Sequence, residues 1–228
     1  MNRSPASPVD LRERVLAAAR SERVPTRTQG RRRDALVLAF GFALSLGLSV
    51  AVGGPGSRLP PGYTALLTGA WLLVGAMATW KGVARGRSML GRPAIVRARV
   101  AVLTPVALLA TATGAALVWP ETLLRTPATV AGDLVCVTLT ILFALGPLVA
   151  FAIVRRRSDP VAPELTGAAI GAASGAWGAL AIELHCGHAS AAHVLIGHVA
   201  PVVLLTLAGG LVGRWVIALR GGSQAEPP

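Results

Sequence analysis

Apolar and polar positions alternate along this chain in long blocks. Six apolar segments run over about 35–54, 63–80, 100–118, 131–154, 166–184 and 194–213, joined by short polar connections. Each approaches the roughly 20 residues that an α-helix needs to cross the hydrocarbon core of a bilayer. The fold class expected is therefore all-α: a polytopic membrane protein with six transmembrane helices over 35–215. A polar segment, 1–34, precedes it and a short tail, 216–228, follows. Short connections oblige successive helices to run antiparallel. Gly54-Pro55-Gly56 turns the chain after the first span, while Trp80 and Trp119-Pro120 close the second and third where an interface is expected.

The spans carry two further signals. Gly167, Gly171 and Gly175 recur at four-residue spacing in the fifth, a stripe that lets helix backbones approach closely and reads as packing. Pro105, Pro147 and Pro201 lie inside apolar spans, where each removes a backbone donor and kinks or locally opens a helix. No internal repeat is evident, which weighs against an inverted-repeat transporter.

Residues 1–34 hold one amphipathic element. Ser7-Pro8-Val9-Asp10 reads as a helix start, and the helix over 8–23 is stopped by Pro25. Leu11, Val15, Ala18 and Ala19 share its narrow apolar face, with Arg12, Arg14 and Arg20 elsewhere. Such a helix either stays solvated or docks on a partner. Arg31-Arg32-Arg33 stands before the first apolar run, yet the run is too long for a signal core and five more spans follow. A first transmembrane helix is the better reading.

Composition strengthens the membrane assignment. Hydrophobic residues make up 53% of the chain, and no polar surface large enough to keep it soluble exists. The net charge of +12 invites nucleic-acid binding, but the arginines sit at the ends of apolar segments rather than on one face. Counted by connection, twenty of the 22 basic residues fall on one side of the membrane and only Arg58 and Arg125 on the other. The positive-inside rule then puts both termini in the cytoplasm, and direct nucleic-acid binding is not expected.

Chemistry concentrates near the C-terminus. All four histidines and one of two cysteines fall within 185–198: His185, Cys186, His188, His193 and His198. On the inferred topology the fifth span ends at the outer face, so His185, Cys186 and His188 emerge there. His198 lies five residues, about 7.5 Å, further along the returning helix than His193. Asp133 and Cys136 open the fourth span at similar depth. Three readings fit: a Cys136–Cys186 disulfide; a metal site drawn from Cys186, His185, His188, His193 and His198, with Cys136 or Asp133 in support; or interfacial polar residues bonded to water and helix ends. Asp133 and Glu183 fit local pairing better than an ion route. No nucleotide loop, paired-carboxylate site or serine triad is visible, so neither an enzyme nor an organic cofactor is expected, a metal ion at the Cys/His cluster being the one candidate.

One stretch resembles a known family. Cys136, Pro147, Arg155-Arg156-Arg157, Pro160/Pro163, Gly167-Ala168, Gly171, Leu184-His185-Cys186 and Arg214-Trp215 together look like the NrsF-type membrane anti-sigma factors. The sequence RVLAAARSERVPTR is also similar to the N-terminal segment of a light-responsive member of that family. Two departures stand out: Gly197-His198 occupies the place of a frequent aromatic pair, and His188 and His193 are additional. The resemblance implies six spans and a cytoplasmic segment that holds an extracytoplasmic-function sigma factor at the bacterial inner membrane until a stimulus releases it. Mapped here, residues 1–34 bind the sigma factor, with Leu11, Arg12, Arg14, Val15, Ala18 and Ala19 on the docking helix, and Cys136 and Cys186 form the sensing pair. Rival readings are a small membrane transporter or metal-handling protein, and a non-catalytic subunit of a membrane complex.

Overall fold

The computed structural model describes residues 13, 27–53, 59–83, 93–119, 129–156 and 161–217. The docking positions Leu11, Arg12, Arg14, Val15, Ala18 and Ala19 and most of the tail lie outside them. Two compact units result, residues 1–36 and 37–228. In the first, the described residues 27–36 are helical.

Among the described residues six long helices form: α1 (Arg27–Ala51), α2 (Pro61–Ala78), α3 (Ala94–Val118), α4 (Val130–Arg155), α5 (Pro163–Glu183) and α6 (Ala191–Val216). All six are long and apolar enough to cross a membrane. Their bounds extend the expected spans at one or both ends. The largest extension is at the start of α1, where 27–34 is polar but contains no proline to stop a helix. Pro61 and Pro163 open α2 and α5, where a missing N–H costs nothing.

Small residues fill the buried face of α5, and many large apolar residues of the other helices face outward. Ala169, Ala172, Ala173, Ala176 and Ala179 of α5 are buried, whereas Leu73, Val102, Leu117, Leu207 and Leu211 project outward. A hydrocarbon surround tolerates that distribution and water does not. Helix α5 is the hub, with 78% of its central apolar window buried against 44% for that of α4. The glycine stripe explains how. A Cβ on Gly167 or Gly171 would run into the backbone carbonyls of Gly209 and Leu205, and one on Gly175 into Val202. The α5–α6 pair is therefore in backbone contact and antiparallel. Gly178 packs as closely on Thr140 of α4, and Trp177 donates its indole N–H to Thr79 Oγ1 (2.9 Å) at the end of α2.

Pro105, Pro147 and Pro201 all lie inside helices, and the carbonyls that Pro147 and Pro201 free are satisfied by side chains. Pro147 cannot bond back to Phe143, whose carbonyl instead accepts from Ser45 Oγ of α1 at 2.7 Å. Pro201 likewise frees the Gly197 carbonyl, which accepts from Thr140 Oγ1 at 2.9 Å. Immediately before Pro201, residues Leu195–Val199 widen into a π-turn.

Candidate functional site

At the end of the bundle where α5 hands over to α6, three elements converge. Helix α4 brings Asp133 and Cys136 in its first turns, and Thr129 caps that helix by accepting from Gly132 N–H at 3.1 Å. Glu183 closes α5, and Cys186 follows in the connection. Ser190 caps α6, its hydroxyl accepting from His193 N–H at 3.3 Å. On a regular α-helix His193 and His198 would point about 140° apart, since each residue turns about 100°. The π-turn at Leu195–Val199 inserts the extra residue that brings both imidazoles to one face. Gly197 makes room there, because a Cβ would lie 2.9 Å from Cys136 Cβ.

The result is a buried four-residue cluster. Cys136, Cys186, His193 and His198 each offer one donor atom, and those atoms all lie within 4.8 Å of one another. The two sulfurs are 3.9 Å apart as free thiols, and His193 Nε2 is 3.2 Å from Cys186 Sγ. Cys186 Sγ also accepts from the backbone N–H of His188 at 3.4 Å. Behind each histidine stands a carboxylate: Asp133 Oδ1 is 2.5 Å from His193 Nδ1, and Glu183 Oε2 is 3.2 Å from His198 Nδ1. His198 is fully buried, and neither its Nδ1 nor its Nε2 has a hydrogen-bond partner among the described residues, the Glu183 contact being one of charge alone. Trp71 of α2 stacks edge-on over its ring at 5.8 Å. The adjoining Cys136 thiol, followed by burial, pushes the Cys186 thiol above its ordinary range.

Of the five residues weighed as metal ligands, the structure gathers Cys186, His193 and His198 and leaves two apart. His185 turns away toward α1: its Nδ1 lies 2.8 Å from the Ala181 carbonyl and its Nε2 3.2 Å from Ser49 Oγ. Nε2 also lies 3.1 Å from the Ser49 carbonyl, so both nitrogens are used in contacts with α1 and α5. His188 lies beside His193, ring centroids 5.0 Å apart, outside the four-atom set. Cys136, considered only in support, is instead central. Sequence reasoning missed Thr140, Gly197 and the π-turn; Pro201, four residues after Gly197, was the signal for all three. A cleft of about 550 Å³ lined by Val52, Val135, His185 and His188 reaches both cysteines.

These features define a helical membrane-type protein with a buried Cys/His cluster at one end of its bundle and no chemistry of comparable density elsewhere among the described residues. The NrsF family, described as negative regulator of sigma F, matches residues 17–218, and the chain belongs to it. Searches of the curated proteins and of the solved structures return no significant match. The protein is thus a negative regulator of a sigma factor, a regulatory rather than enzymatic role, with a sigma factor as its partner.

Proposed function

We propose that this protein holds an extracytoplasmic-function sigma factor at the bacterial inner membrane through residues 1–34 and releases it when a stimulus reaches the Cys/His cluster. Family membership supports the regulatory role. The observation that carries the sensing part is the 3.9 Å approach of Cys136 and Cys186, which come from segments fifty residues apart. Two thiols at that distance can be oxidised, alkylated or bridged by a metal with little movement, and each outcome would alter how α4 meets the α5–α6 connection. Arginine counting supports cytoplasmic termini, with the cluster on the outer side. Redox stress, metal ions and light-generated oxidants are the stimulus classes this chemistry would register. The likeness of the N-terminal segment to a light-responsive family member supports the last.

The apolar strip Leu11, Val15, Ala18 and Ala19 would lie in a groove of the sigma factor, with Arg12 and Arg14 setting specificity. The test is retention of an extracytoplasmic-function sigma factor of the same organism by full-length protein in membranes. Val15→Glu with Ala19→Glu should weaken retention about tenfold or more, as loss of a central apolar anchor does. Undiminished retention would remove residues 1–34 from the docking role. A metal-handling protein is the second reading, favoured by the same cluster; it predicts metal flux across the membrane, which the regulatory reading does not.

A further inference from the structure

We infer that Cys136, Cys186, His193 and His198 form a tetrahedral binding site for one zinc ion. Four observations converge on this. The donor set is two thiols and two imidazoles, the combination that selects zinc among common divalent ions. A tetrahedral centre with Zn–S bonds of about 2.3 Å holds its two sulfurs about 3.8 Å apart, and the sulfurs here are 3.9 Å apart, nearly twice the length of a disulfide bond. Each histidine presents Nδ1 to a carboxylate, Asp133 or Glu183. At His193 the hydrogen bond to Asp133 fixes the tautomer and leaves Nε2 to bind, and at His198 the nearby Glu183 carboxylate favours the same tautomer, the outer arrangement typical of zinc-ligating histidines. Finally, His198 Nε2 is fully buried without a hydrogen-bond partner among the described residues, a cost that a metal–nitrogen bond would remove.

The loop chemistry agrees. The His188 N–H directed at Cys186 Sγ would stabilise a thiolate. Binding exchanges two S–H bonds for two Zn–S bonds, and the two protons pass to solvent with no change of oxidation state. Two thiolates neutralise the dication itself, and what charge remains lies on the flanking Asp133 and Glu183. His185 and His188 take no part. The ion would tie α4, the α5–α6 connection and α6 together, which is why the π-turn is needed: without it His198 would face away from the other three ligands.

The experiment is metal analysis of full-length protein purified in detergent with a tag free of histidine. About one zinc per chain is expected, and cobalt substitution should give the intense visible bands of a tetrahedral thiolate site. Cys136→Ser, Cys186→Ser, His193→Gln and His198→Gln should each lower bound zinc several-fold, while His185→Gln and His188→Gln keep it. Glu183→Gln and Asp133→Asn, which leave all four ligands in place, should weaken zinc affinity about 10- to 100-fold. Circular dichroism separates loss of metal from loss of fold. Wild-type protein that is helical yet takes up no zinc overturns the proposal. So does retention of zinc by folded Cys136→Ser and His198→Gln, or equal loss in His185→Gln. Because zinc content is measured without any sigma factor, the result is independent of the regulatory reading.

Discussion

Thr140 of α4 donates its hydroxyl to the carbonyl of Gly197 in α6, the carbonyl that Pro201 leaves without a backbone donor. This one bond lets the π-turn exist next to a proline in an apolar surround, and the π-turn in turn aims His198 at the cysteines. Thr140 is fully buried. Thr140→Val keeps its shape and removes the donor, so it should cost about 1 kcal/mol, the scale of hydrogen bonds between membrane helices. Unfolding by denaturing detergent, followed by helicity, measures it. Ser45→Ala, which strips the Phe143 carbonyl freed by Pro147, should lose a similar amount. A loss at Ser45 with none at Thr140 would mean that the π-turn does not depend on this bond.

The glycine stripe makes a graded prediction. Gly171→Ala drives a methyl into the Leu205 carbonyl, and the helices must separate to admit it. Destabilisation of about 1–3 kcal/mol is expected, the usual cost of overpacking. Gly69 and Gly114 have open space where a Cβ would go, so Gly69→Ala and Gly114→Ala should be neutral or slightly stabilising. The same unfolding assay, run on all three, distinguishes a packing stripe from a general intolerance of substitution.

Stability of the metal-free protein should fall in alkali. Cys136 beside it, and then burial, hold the Cys186 proton more tightly in the folded chain than in the unfolded one. A folded pKa raised above the unfolded value stabilises the fold fully below the ordinary thiol pKa, about 8.5. That contribution is lost as pH rises beyond it, because the unfolded chain then binds fewer protons. In chelator, the Tm should therefore drop more steeply above pH 8.5 for wild type than for Cys136→Ser, in which the main cause of the shift is gone. Parallel slopes would remove the coupling between the two thiols.

Signalling variants test the cluster as an input. Cys136→Ser and Cys186→Ser should each alter induction of a sigma-dependent reporter by redox stress while leaving membrane insertion intact. His185→Ala removes the tie from α5 to Ser49 without touching the four-residue cluster. It is expected to change stability by about 1 kcal/mol and to leave the response in place. Unchanged induction in both cysteine variants would leave the cluster a structural clamp.

Topology can be read separately. Alkaline phosphatase fused after Arg125 should be active and the same enzyme fused after Arg220 inactive, since twenty of the 22 basic residues are assigned to the cytoplasmic side. The reverse activities would put the cluster on the cytoplasmic face.

Hydropathy blocks alone determined that six apolar helices form, because the cost of leaving backbone groups unpaired in hydrocarbon admits few other structures. The glycine stripe was legible for a similar local reason: small residues at four-residue spacing can serve only one face of one helix. Depth was legible too, and it placed Cys136 level with Cys186. Which histidines join them was not. His185, next to Cys186 in sequence, points to Ser49 instead, and His198, twelve residues beyond Cys186, is brought in. Sequence spacing fixes angle only along a regular helix, and a proline with a π-turn resets that angle by one residue. Whether the freed carbonyl finds a donor depends on Thr140, fifty-seven residues away. That is a property of packing between helices, which the tertiary structure alone decided.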